Sequence, residues 1–181
     1  MERVDTDHPD VFLIKPRVFN DDRGFFFESW NARSFAQVGV DANFVQDNQS
    51  RSAREVLRGM HYQVVRPQGK LVRVAAGRVY DAVIDLRRSS PRFGHWLSVE
   101  LSAANGLMLW VPAGFAHGFL ALEDGTELLY KCTDYYRPEY ERTILWSDPQ
   151  VGIAWPLEGR PPRLSAKDAK GALLKEADTF E

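Results

Sequence analysis

The segment Arg58-Gly59-Met60-His61-Tyr62-Gln63, closed by Gln68-Gly69-Lys70, sets an imidazole and two cations inside a run that otherwise reads as strand. Imidazole is the side chain best matched to proton transfer near neutral pH. An ammonium nearby is suited to a negative charge that develops during a reaction. A second histidine lies in Pro112-Ala113-Gly114-Phe115-Ala116-His117-Gly118. The two segments are expected to face one pocket, and the chemistry they suggest is the movement of protons.

Strand periodicity says which side chains share that pocket. Leu57, Gly59, His61 and Gln63 fall on one face, and Arg58, Met60 and Tyr62 on the other. Gly59 beside His61 removes a side chain and leaves room for a ligand. Lys70 shares its face with Val72 and Val74. An inward lysine is costly unless it meets an anion; the other reading is a lysine at the strand mouth reaching solvent. His117 shares parity with Phe115 and Phe119, which suits either a ligand contact or a satisfied core group. Tyr130 shares parity with Leu128 and Cys132, so its ring is expected to face inward. Asp168 has a local explanation, because Ser165-x-x-Asp168 is a variant of the capping box. Taken alone, Arg23 reads as a turn arginine and Glu28 as its exposed neighbour.

Metal chemistry fits these residues poorly. Barrel metal sites commonly use His-x-His, a later Glu and a further His. Here the first motif reads His61-Tyr62-Gln63, and a cation, Lys70, stands where an acidic ligand would be wanted. The expectation is no metal and no cofactor.

The elements that must position these groups are mostly strands. Residues 11–14 form a short apolar run ended by Pro16, and Asn20-Asp21-Asp22-Arg23-Gly24 is turn chemistry before the aromatic-rich, strand-like residues 25–30. Residues 31–38 read as the one good helix in the first two-thirds, with Asn31 as N-cap and Gly39 as its stop. Residues 44–50 begin like a strand but turn amide-rich, as either a polar edge or a loop. Residues 71–76 and 78–85 flank Gly77; residues 96–101 and 107–111 add two strands. Residues 116–122 and 127–132 flank Glu123-Asp124-Gly125-Thr126, a hairpin signal. Many short strands with glycine turns argue an all-β sandwich or barrel. Past Pro138 the pattern loosens into a wandering tail, and Ser165 opens a final short helix.

Composition sets outer bounds. The chain of 181 residues is long enough for one domain, residues 1–181, with a sizeable core. A formal charge of -2 gives no basic field for polymeric nucleic acid. One cysteine, Cys132, rules out an intrachain disulfide and a multi-cysteine zinc site. The first residues lack the pattern of a signal peptide and no apolar stretch approaches a membrane span, so a cytoplasmic protein is expected.

An ordered set of motifs adds a resemblance. Asp22-Arg23-Gly24-Phe25-Phe26-Phe27-Glu28-Ser29, Gln46-Asp47-Asn48, Leu57-Arg58-Gly59-Met60-His61-Tyr62-Gln63 and Gln68-Gly69-Lys70 resemble the dTDP-4-dehydrorhamnose 3,5-epimerase family. So do Asp81-Ala82-Val83-Ile84-Asp85, Trp110-Val111-Pro112-Ala113-Gly114-Phe115-Ala116-His117, Tyr130-Lys131-Cys132-Thr133 and Leu164-Ser165-Ala166-Lys167-Asp168. The resemblance runs from about Val11 to Leu174. It implies a metal-free cupin-type jelly roll, a homodimer that exchanges N-terminal strands, and a dTDP-4-dehydro-6-deoxy sugar as substrate. It implies His61 as base, Asp168 as its carboxylate, Lys70 at the enolate oxygen and Tyr130 as acid. It further implies that Arg23, Glu28, Gln46, Asn48, Arg58, His117, Glu141 and Lys167 hold substrate, and that Tyr136 stacks on the thymine. A relative that epimerises only C3 or only C5 would keep much the same residues. Strand parity puts Arg58 and His61 on opposite faces, a conflict that a bend between them would resolve.

Overall fold

The computed structural model describes residues 1–181. Its strands are β1 (Glu2–Asp5), β2 (Phe12–Lys15), β3 (Val18–Asp21), β4 (Gly24–Phe27), β5 (Gln46–Ser52), β6 (Leu57–Gln63), β7 (Lys70–Ala76), β8 (Arg78–Asp85), β9 (Trp96–Ser102), β10 (Met108–Val111), β11 (Phe115–Ala121), β12 (Thr126–Cys132) and β13 (Glu141–Thr143). The helix α1 (Ala32–Gln37) lies between β4 and β5, and Asn31 caps it by accepting from the Arg33 and Ser34 amides. The expected all-β jelly roll is present. A six-stranded sheet runs β1-β2-β10-β7-β12-β5 and a five-stranded sheet runs β13-β6-β11-β8-β9. Strands β3 and β4 form a separate two-stranded sheet.

Alternation explains the layers. Val72, Val74, Leu109 and Leu128 point from the first sheet toward Val79, Val83, Leu101, Phe115 and Phe119 of the second, and together they form the central core. The outer face of the six-stranded sheet is covered by α1, through Phe35 against Phe12, Ile14 and Leu71. The outer face of the five-stranded sheet is covered by the tail, where Ile144, Val151 and Leu174 meet Met60, Ala82 and Ile84.

One turn differs from expectation. The segment containing Asp124-Gly125 does not close a hairpin, because β11 and β12 belong to opposite sheets. The expected turn at Gly77 is present and likewise carries the chain from one sheet to the other, between β7 and β8. Both strands of each pair bury an inward face in the same core, so the turn must carry the chain across the sandwich. The amide-rich segment resolves as β5, the edge of the six-stranded sheet, paired with β12. The short helix expected from Ser165 onward is a 3-10 turn, Asp168–Lys170, and a second one follows at Leu174–Glu176.

The feature that shapes the site is an irregularity between β6 and β11. His117 pairs with His61, but Phe119 pairs with Arg58 and Leu120 with Leu57. Gly59 and Met60 therefore oppose Gly118 alone, which is a β-bulge. The extra residue resets the alternation and brings Arg58 and His61 to the same cavity, resolving the conflict of parity. The bulge needs close backbones: a Cβ at Gly59 would lie 2.5 Å from Gly118 Cα, and one at Gly118 would lie 2.6 Å from Met60 Sδ. Gly118→Ala is expected to destabilise the protein by about 1–3 kcal/mol, read as a lowered urea midpoint. An unchanged midpoint would mean that the strands have room to part.

Candidate active site

Residues of both sheets line a cavity of about 410 Å3. Only six of its twenty lining residues are hydrophobic, which suits a polar, charged ligand better than an apolar one. Strands β6, β11 and β13 contribute Arg58, His61, Gln63, His117 and Glu141 from one wall. Strands β5, β7 and β12 contribute Gln46, Asn48, Lys70, Tyr130 and Cys132 from the other, and the tail adds Ser165, Lys167 and Asp168.

His61 and Asp168 are 107 residues apart, and His61 Nε2 lies 2.5 Å from Asp168 Oδ1. A chain of backbone pairings makes that meeting. Strand β13 pairs with β6 so that Thr143 lies opposite His61. Ala172 then bonds to Thr143 and Leu145, holding the tail alongside. A Cβ on Gly171 would sit 2.6 Å from the Leu145 amide nitrogen, so only glycine allows this approach without a shift. The local contact expected from the Ser165-x-x-Asp168 spacing also forms, although Lys167 takes the N-cap position of the 3-10 turn: the Ser165 hydroxyl donates to Asp168 Oδ2 at 2.7 Å and accepts from the Asp168 amide at 3.1 Å. Thus the local reading of Asp168 and the long-range one hold together. Burial works to raise the Asp168 carboxyl, but hydrogen bonds from His61 and Ser165, with the charges of His61 and Lys167, hold it below the usual aspartate range. An ionised Asp168 only accepts, so Nε2–H of His61 donates, leaving Nδ1 without a protein partner as the nitrogen able to take a proton.

Lys70 points inward, as its parity with Val72 and Val74 requires, and is 8% exposed. Its one hydrogen bond is a 3.4 Å contact from Nζ to the His61 carbonyl. Burial lowers its pKa, while Cys132, Asp81 and Glu141 oppose that shift and Lys167 adds to it. Tyr130 faces the cavity from β12, and burial raises its pKa, so it keeps its proton. Tyr136 donates to Glu141 Oε2 at 2.9 Å, and burial with that bond pushes its pKa up to about 12. Glu141 also accepts from Lys167 at 2.8 Å. Gln46 and Asn48 bond to each other along β5, and Arg58 is braced by Ser52 and the Arg51 carbonyl.

The family model of dTDP-4-dehydrorhamnose 3,5-epimerase matches residues 5–176. The chain belongs to the dTDP-4-dehydrorhamnose 3,5-epimerase family. It is 56% identical over 173 residues to the enzyme of that name from Pseudomonas aeruginosa, covering 95% of each chain. It is 51% identical over 176 residues to the one from Salmonella typhimurium, covering 96% of each. A solved epimerase from Legionella pneumophila, in complex with dTDP-4-keto-L-rhamnose, superposes with a TM-score of 0.94 at 47% identity, covering 98% of this chain and 94% of that one.

Eleven of the thirteen residues that this family resemblance singles out in the sequence line the one cavity. Arg23 and Glu28 do not. Arg23 sits at the tip of the β3–β4 hairpin with its side chain 89% exposed and paired to Asp21, and Glu28 bonds to Asn31. Sequence reasoning missed Asp81, a buried partner of His117, whose short strand context reads as apolar core. It also missed that Gln63, though it lines the cavity, is spent on backbone: its amide bonds to the Arg66 and Tyr135 carbonyls and the Arg137 amide.

Because the folded Asp168 is more acidic than an unfolded aspartate, its contribution to stability is present above the unfolded pKa and is lost as pH falls through the folded one. Asp168→Asn is therefore expected to be less stable than the parent at pH 7, with the gap closing below about pH 4, the ordinary aspartate value. Urea unfolding at both pH values checks this; a gap that stays constant would mean that Asp168 acts through shape alone.

Proposed function

We propose that this chain, as a single domain, inverts C3 and C5 of dTDP-4-dehydro-6-deoxy-α-D-glucose to give dTDP-4-dehydro-β-L-rhamnose, by proton abstraction and return without a metal. The observation that carries this reading is the His61–Asp168 pair on one wall of the cavity with Tyr130 on the opposite sheet. The keto group at C4 acidifies the protons on both flanking carbons. His61 takes the proton through Nδ1, and Asp168 stabilises the imidazolium that forms. The electron pair moves onto the C4 oxygen, where the buried Lys70 ammonium meets the new charge. Tyr130 returns a proton from the other side, so the centre inverts.

The donor set supports chemistry without a metal. No three His, Cys, Asp or Glu side chains converge on one point. Lys70 would oppose a cation placed between His61 and His117. Arg58 and Lys167 suit the diphosphate, Tyr136 offers its ring to the thymine, and Gln46, Asn48, His117 and Glu141 offer polar contacts to the rest of the substrate.

Arg23 and Glu28 enter this reading through a partner. Phe25 and Phe26 on the β3–β4 hairpin are 67% and 70% exposed, an apolar surface that water does not favour. A homodimer that exchanges N-terminal segments would cover these rings and carry Arg23 and Glu28 to the other copy's cavity. No helix of the chain is long and apolar enough to cross a membrane. A chain with one cysteine needs no oxidising compartment, and the cytoplasm is the compartment this reading assigns.

His61→Ala is expected to lower kcat by about 10²–10⁴-fold, the usual worth of a general base. Tyr130→Phe should keep deuterium uptake from heavy water while losing inversion, because abstraction does not require the acid. Uptake and inversion lost together would make Tyr130 structural. For the exchange of segments, His61→Ala and Arg23→Ala chains, each inactive, are unfolded together and refolded. Mixed dimers are expected to regain activity, since one of their two cavities has both native residues. No recovery would place Arg23 in its own chain's site or outside the chemistry.

A further inference from the structure

Asp81 is a carboxylate that none of these roles uses. It lies on β8 between Val79 and Val83, the core-facing residues of the strand, and is 0% exposed. A valine would be the cheap choice there, since an ionised carboxylate in an apolar core needs matched partners. Two groups are at hand. His117 Nε2 lies 2.9 and 3.0 Å from the two carboxylate oxygens, so Nε2–H donates to Asp81 and Nδ1, which has no protein partner, belongs to the cavity side of the ring. Lys70 is the other: it makes no direct bond to Asp81, and its only hydrogen bond is a long one. It points from the facing sheet with Val72 and Val74 toward the core that Asp81 enters with Val79 and Val83, and it lines the same cavity as His117. The charged and titratable groups around it are Asp81 on β8, His61 on β6, His117 on β11, Cys132 and Tyr130 on β12, Glu141 on β13, and Lys167 and Asp168 in the tail.

We infer that Asp81 is a positioning residue for the reaction, fixing the proton of His117 on Nε2 and keeping Lys70 protonated beside the C4 oxygen. It acts as a second carboxylate beneath the cavity, serving the charge that forms on oxygen while Asp168 serves the base. The direction of the charge effect agrees: burial lowers the Lys70 pKa, and Asp81 is among the groups that oppose the shift. The inference rests on the role of Lys70 given above.

Asp81→Asn keeps an oxygen to accept from Nε2–H and removes only the charge, so it separates geometry from electrostatics. Lys70 must carry its proton to act, so losing a neighbouring negative charge moves the alkaline limb of the kcat/KM profile to lower pH. The expected shift is about one unit, read as about a tenfold loss on the alkaline side that shrinks as pH is lowered. The loss should fall on kcat, with dTDP binding unchanged. A residue that only supported the fold would scale kcat/KM by one factor at every pH, and that result overturns the inference. Asp81→Val, matched to its neighbours on β8, supplies the second readout. Nitrogen-15 NMR is expected to show His117 as the Nε2–H tautomer in the parent and as a mixture in Asp81→Val; an unmoved tautomer also overturns it. If Asp81→Val does not fold, the profile of Asp81→Asn decides. A parent protein that turns over no 4-keto sugar would instead refute the proposed function, which keeps the two failures apart.

Discussion

The site depends on the close approach of β6 and β11 at Gly59 and Gly118. An ordinary ladder would send Arg58 and His61 to opposite faces of the sheet. One extra residue in β6 turns both toward the cavity, and the absence of two Cβ atoms lets the strands stay paired while it happens. The same ladder then positions the rest of this wall. His117 lies across from His61, β13 lies on the other side of β6, and the tail hangs on β13 so that Asp168 arrives at the imidazole.

Charge is the second constraint. The end of the sandwich takes Lys70, His61 and His117 out of bulk water, and each is answered by a carboxylate or by the space reserved for one. Asp168 answers His61 and Asp81 answers His117 at hydrogen-bonding distance. Lys70 has no direct carboxylate contact and keeps its charge directed at whatever occupies the cavity. A buried ion pair of full strength would have neutralised it, whereas the proposed function calls for an under-satisfied ammonium that favours a charge appearing only during the reaction.

Much of this was legible from residue types. Alternation told which way Lys70 and Tyr130 point, because the adjacent valines and leucines leave one sensible inward face. Asn31 marked the helix start, since its side chain supplies the acceptor that the first amides lack. What periodicity could not show was set by contacts distant in sequence. The bulge was visible only as a conflict between Arg58 and His61. Asp168 looked like part of a capping box, and it does exchange hydrogen bonds with Ser165, but its bond to His61 depends on pairings of β13 with both β6 and the tail. Asp81 looked like one polar residue in an apolar strand. The turn at Asp124-Gly125 was misread as a hairpin because turn chemistry specifies a reversal and not which sheet receives the next strand.

The central claim is that one metal-free acid–base site moves protons at both carbons beside a ketone. The direct measurement follows the C3 and C5 positions of the 4-keto sugar by proton NMR in heavy water, with the chain first treated with chelator and shown to hold no stoichiometric metal. The account predicts deuterium at both carbons with turnover undiminished by chelation. Label at one carbon only, or activity that disappears with a removed metal, would contradict it.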